Sequence, residues 1–131
     1  MTDALMAAVT GEEAATYAYG VATPWLDAGD IDLARGGLAA HRARVLALRQ
    51  IAPDAAESGM PGGFVTGPID SPTSARRLLA DVEARLCAVY ADLAAVSAGP
   101  ARRDAVLAAC ECSARSIGWG APTAAFPGYP A

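Results

Sequence analysis

The chain has 131 residues, a formal net charge of −4, and 53% hydrophobic but only 6% aromatic residues; all ten of its basic residues are arginine. That length supports one core of ordinary size but not two, and an acidic chain without a basic face to displace counterions excludes nucleic acid as the main partner. Charges interrupt every apolar stretch before the ~20 residues that a membrane-spanning helix needs. Most of the apolar count is alanine, the residue with the best helix propensity, so the composition predicts an all-α chain. The opening Met1-Thr2-Asp3-Ala4-Leu5 has neither the basic start nor the apolar run of a signal peptide. Three cysteines, an odd number, read as reduced thiols rather than a disulfide framework. A cytoplasmic protein without a membrane partner is expected.

The first predicted helix covers residues 2–23, with Leu5, Val9, Thr16 and Tyr19 on one face, and stops at Pro24. Asp30 is the expected N-cap of a second helix that ends near Ala52, before Pro53. Its core stripe is Ala34, Leu38, His41, Val45 and Leu48, at alternating steps of four and three residues. A third helix opens at Ser71-Pro72, a capping residue followed by proline at the first helical position. It is expected to bury Leu79, Val82, Leu86, Val89, Leu93 and Val96. Gly99-Pro100 ends that helix and starts a fourth, with Val106, Cys110, Ser113 and Ile117 inside and Gly118 at its close. Residues 118–131 form a C-terminal extension of a single domain spanning 1–131, with Trp119 and Phe126 packing on the bundle or on a partner.

Loop lengths set the expected topology. Helices 1 and 2, and helices 3 and 4, are joined by a few residues, so each pair is an antiparallel hairpin. About 18 residues, including Met60-Pro61-Gly62-Gly63 and Gly67-Pro68, join helices 2 and 3. A ~20-residue helix is about 30 Å long and 18 extended residues reach about 60 Å, so this segment can run the length of the bundle. Helices 2 and 3 are then parallel, and the fold class is a four-helix bundle of ferritin-like topology with a long crossover.

Several residues also carry a family likeness. The run Glu12-Glu13-Ala14-Ala15-Thr16-Tyr17-Ala18-Tyr19-Gly20, His41 with Arg44, Glu83, and the closing Phe126-Pro127-Gly128 together resemble an uncharacterised, alanine-rich ferritin-like family of actinobacteria. The resemblance spans nearly the whole chain and implies a ferritin-like bundle, often dimeric, with no established activity. Members usually carry a second polar residue, often histidine, after the first glutamate; Glu13 takes that place here.

A ferritin-like bundle invites a test for a di-iron site, which takes a glutamate from each of two helices and a Glu-x-x-His pair from each of the others. Glu13 and His41 are symmetric about the first short turn, and Glu83 and Glu111 about the second, so four candidates lie at comparable heights. The set is incomplete. Leu38 stands three before His41, and Ala114 three after Glu111, where the motif needs a glutamate and a histidine. A dinuclear oxidase site is not expected, and a single iron or manganese is the alternative to no cofactor. The preferred reading of His41 is a neutral buried ring whose polar atoms are satisfied by a carboxylate, since an unpaired buried polar group costs about 1–3 kcal/mol. Glu12 fits the face of Leu5, Val9, Thr16 and Tyr19, whereas Glu13 fits that of Met6, Val9, Tyr17 and Gly20; one should point inward and the other to solvent. The resemblance favours Glu12, and the mirror symmetry favours Glu13.

Cys110 and Cys112, about 200° apart on a helix, cannot chelate one ion together; Cys110 reads as a small inner hydrophobe and lies near Cys87 across the second turn. No phosphate-loop sequence follows Gly62-Gly63. The arginines read as solvated faces, with Arg44, one turn from His41, set apart. Three functions remain: a non-enzymatic scaffold, expected to be a homodimer with a degenerate metal site; a metal-binding or redox protein using Glu12 or Glu13, His41, Glu83 and Glu111; and an interaction module docking a protein partner through the crossover loop or the tail, with Trp25, Trp119, Phe126 and Tyr129.

Overall fold

The computed structural model describes residues 3–55 and 67–123. Four helices carry the fold: α1 (Asp3–Ala22), α2 (Ile31–Ile51), α3 (Pro72–Ala95) and α4 (Gly99–Gly118). Two short 3-10 turns, Thr23–Trp25 and Ala28–Asp30, fill the connection after α1, where Pro24 takes the early position that tolerates its missing N–H. Ser71 caps α3 as the sequence predicts, its hydroxyl accepting from the Ser74 N–H while the Ser74 side chain answers the Ser71 N–H. Between α3 and α4 the chain reverses at Gly99, whose φ of +58° is a left-handed conformation that a side chain would strain.

Side-chain contacts fix the directions. Tyr19 meets Glu83 and Tyr90 meets Glu12, so α1 and α3 are antiparallel. Ser116 donates to the Ala80 carbonyl at 2.8 Å and Arg102 to that of Ala94 at 3.1 Å, so α3 and α4 are antiparallel as well. Asp30 at the start of α2 pairs with Arg76 at the start of α3, and His41 with Glu83 further along, so α2 and α3 are parallel. The result is the expected pair of hairpins joined by a long crossover, whose Met60-Pro61-Gly62-Gly63 segment lies outside the described residues. α3 packs most extensively against α4 and α1, whereas α2 is seated mainly on α1. Its ties to the rest are polar: Asp30 to Arg76, His41 to Glu83, and Arg44 to Glu111 on α4.

The packed faces differ from the expected stripes in three places. On α2, Ala34, His41 and Leu48 are buried, but Leu38 and Val45 only half so, and Gly37 lies under the Tyr19 ring. A Cβ at position 37 would stand 2.6 Å from that ring, so glycine is required for the close approach. On α3, Leu79, Val82 and Leu86 are buried, Val89 and Leu93 are partly covered, and Val96, which caps the helix end, is exposed. The largest correction is on α4. Its inner face is Ala105, Ala108, Cys112 and Ser116, while Val106, Cys110 and Ile117 face outward. The smaller face goes inside because it lets the α4 backbone approach α3 closely enough for the Ser116–Ala80 bond. Trp119 is buried on the bundle as expected; Phe126 and Tyr129 lie outside the described residues. Among the described residues no helix is long and apolar enough to cross a membrane.

Candidate functional site

Three ionisable side chains, Glu12 of α1, His41 of α2 and Glu83 of α3, are fully buried at the centre of the bundle. The Nδ1 of His41 lies 2.5 Å from Glu12 Oε2, and its Nε2 lies 2.8 Å from Glu83 Oε1. A carboxylate oxygen only accepts, so both ring nitrogens donate and the ring is an imidazolium. Burial alone would lower the His41 pKa; the hydrogen bonds to Glu12 and Glu83 outweigh it and hold the pKa up at about 9. The expectation of a neutral ring with one carboxylate partner is therefore corrected to a charged ring between two.

The remaining carboxylate oxygens are equally occupied. Tyr90 donates to Glu12 Oε1 at 2.5 Å, Tyr19 to Glu83 Oε2 at 2.9 Å, and Arg115 Nε to the same Glu83 oxygen at 2.7 Å. Trp119 Nε1 donates in turn to the Tyr19 hydroxyl at 2.9 Å. The chain Trp119–Tyr19–Glu83–His41–Glu12–Tyr90 thus runs unbroken through the core. Among the described residues, every buried side-chain nitrogen and oxygen has a partner. Two carboxylates face one imidazolium and one guanidinium, so the charges balance, which is what makes so many buried ions tolerable. Burial and the charge of Glu83 push the Tyr19 phenol well above its usual pKa, and burial and the charge of Glu12 do the same for Tyr90. Both phenols are donors at neutral pH.

Glu13 and Glu111 are placed elsewhere. Glu13 points away from His41 and pairs with Arg49, so Glu12 is the inward member of the pair, as the resemblance implied. Glu111 forms a half-exposed ion pair with Arg44 at 2.8 Å, and the Arg44 guanidinium also lies 5.9 Å over the Tyr90 ring. Cys112, not Cys110, is the inner thiol of α4, and burial together with Glu83 pushes its pKa up. Sequence reasoning missed Tyr19 and Tyr90 as polar members of the site, and missed Arg115. A signal existed: Tyr19 stands seven residues after Glu12 and Tyr90 seven after Glu83, a spacing that puts each pair on one helix face.

A histidine ligand needs a ring nitrogen lone pair aimed at the ion. Both His41 nitrogens are directed at carboxylates, and each carboxylate oxygen already accepts from a proton donor. As arranged, these residues fit a proton and not a metal, and among the described residues no group of three or more His, Cys, Asp or Glu side chains is placed to hold one.

A family model described as a domain of unknown function (DUF4439) matches residues 4–131, and the chain belongs to that family. No curated protein and no solved structure matches it.

Proposed function

We propose that this member of the family is a non-enzymatic helical scaffold of ferritin-like type, working as a homodimer, in which the place of a metal site is taken by a self-contained ion cluster. The observation that carries this reading is the double occupation of His41: both ring nitrogens are engaged by buried carboxylates, which leaves no open position for a substrate or an ion. The cluster joins α1, α2 and α3 through His41 and reaches α4 through Arg115, so its work is to fix the register of four helices whose alanine-rich faces would otherwise slide. A single buried polar residue that fixes helix register has precedent as a physical role.

The alternative, a metal-binding or redox protein with a reduced Glu/His ligand set, draws on the same convergence of Glu12, His41 and Glu83. It requires the ring to release a proton before an iron or manganese ion enters. Elemental analysis of the purified protein after loading with iron or manganese, paired with the melting temperature, decides between them. The scaffold reading expects no bound metal and no thermal shift at neutral pH; stoichiometric metal with a raised melting temperature would overturn it.

A further inference from the structure

The outer face of α4 is not used by the bundle. One face of this helix, built on Ala105, Ala108, Cys112 and Ser116, lies in the core. A second bears Val106 and Ile117, 47% and 40% exposed, and the exposed thiol of Cys110. A helix that is apolar on more than one side is ordinarily covered on more than one side. Beside this face, between α3 and α4, runs a groove of about 500 Å³ whose lining, from Cys87 and Ala91 to Val106 and Ile117, contains no charged residue. Three other grooves among the described residues do contain charges: Arg76, Arg77 and Asp81 near Trp119, Glu13 and Arg42 between α1 and α2, and Arg85 between α1 and α3.

We propose that this face is where two copies of the chain meet, with α4 lying antiparallel to α4 of the second copy across a two-fold axis. The inference rests on the homodimer reading above and adds the surface that forms it. The stripe is self-complementary in the way such an axis demands. Positions 106 and 117 are equally far from a point between residues 111 and 112, and so are positions 110 and 113. An antiparallel pairing about that point sets Val106 against Ile117 at both ends, and Cys110 against Ser113 near the axis. Aliphatic side chains meet aliphatic ones, and small ones meet where the helices approach most closely. Each copy carries a net charge of −4, so copies repel in general, and an uncharged face is where approach costs least. Leu46 and Ile51 of α2 are more exposed, at 68% each, but five residues separate them, about 140° around the helix, so they form no stripe.

Sedimentation velocity of the full chain over a dilution series tests the proposal. The wild type is expected to be a dimer. Val106→Arg and Ile117→Arg should each yield a monomer with unchanged helical circular dichroism, while Leu46→Arg remains dimeric. Ser113→Cys, oxidised with diamide, should link position 113 of one copy to Cys110 of the other and run as a dimer on a non-reducing gel, a readout that does not depend on disrupting the interface. A monomeric wild type would overturn both this face and the homodimer reading. A dimer that survives both arginine substitutions on α4, with no cross-link, would overturn this face while leaving the homodimer in place. Neither result depends on whether metal binds.

Discussion

The α1–α2 and α3–α4 hairpins bring the same two side chains to the core and answer them with different cations. α1 supplies Glu12 and, seven residues on, Tyr19; α3 supplies Glu83 and, seven residues on, Tyr90. Because the helices run antiparallel, each tyrosine donates to the other helix's glutamate. The second helix of the first hairpin contributes His41, and that of the second contributes Arg115. Arg115 is charged at every physiological pH, whereas His41 holds its charge by one titratable proton. Glu83 therefore faces two cations and Glu12 only one. The two halves are alike in layout and unequal in how much depends on each carboxylate.

That inequality gives the largest expected effect. Removing one member of a buried ion pair costs about 3–5 kcal/mol, because its partner is left buried and unpaired. Glu83→Ala strands Arg115 and Tyr19 and takes from His41 one of its two carboxylates, so it should fall at or above the top of that range. Glu12→Ala leaves His41 paired with Glu83 and strands only Tyr90, so it should fall lower. Urea denaturation of the two variants measures the difference; equal midpoint losses would show that Arg115 adds nothing to the hold on Glu83.

The next effect separates the hairpins by pH. His41 has a folded pKa of about 9 against an ordinary 6.5. A pKa raised on folding gives stability that is complete below the unfolded value and disappears as the pH rises through the folded one. Between pH 6.5 and 9 the protein should lose roughly 3 kcal/mol of stability from this proton. Cys87 and Cys112 are held above the ordinary thiol value of 9.0, so their contribution to alkaline unfolding begins only at the top of that window. Denaturation curves across the window should show the slope in the wild type and lose it in His41→Gln. A wild-type curve flat to pH 9 would mean that the cluster does not depend on the imidazolium. Because α2 is seated mainly on α1, its polar tie to α3 should be the first contact to loosen, and hydrogen exchange of α2 amides at high pH reads that directly.

How much of this was legible in the sequence follows from the difference between height and azimuth. The helices, their caps at Ser71 and Pro72, and the parallel placement of α2 and α3 came from punctuation and loop length, which are local or arithmetical. Mirror symmetry about a short turn also gave heights well: Glu111 does lie near the level of Glu83. It could not give rotation, since one residue along a helix is only 1.5 Å of rise but 100° of turn. The mirror symmetry alone favours Glu13 where Glu12 faces inward, and Glu111 where Cys112 does, each one residue off, whereas the family likeness already favours Glu12. The reversed faces of α4 have the same origin, sharpened by composition. Where alanine, cysteine and serine compete with valine and isoleucine for the core, apolar pattern favours the larger set, but closeness of backbones favours the smaller. The imidazolium was out of reach because its charge depends on a second carboxylate from α3, brought in only by the crossover.

The two tyrosines give the smallest and most discriminating comparison. Tyr19→Phe and Tyr90→Phe each remove one hydrogen bond to a buried carboxylate, a loss of about 1.5–3 kcal/mol. Pure hairpin symmetry would make the two losses equal. Tyr19, however, also accepts from the Trp119 indole at 2.9 Å, and its loss leaves a buried N–H without a partner, a further cost of about 1 kcal/mol or more. Tyr90→Phe strands an atom too, since it leaves Glu12 Oε1 without its donor, whereas Glu83 Oε2 keeps Arg115 when the Tyr19 hydroxyl goes. Each variant should therefore lose more in urea than one hydrogen bond alone accounts for, and the indole bond is isolated by a double variant. Adding Trp119→Phe to each variant should cost less in the Tyr19→Phe background than in the Tyr90→Phe background. Equal costs in the two backgrounds would mean that the indole bond contributes nothing, and that the Trp119 end of the chain is held by packing alone.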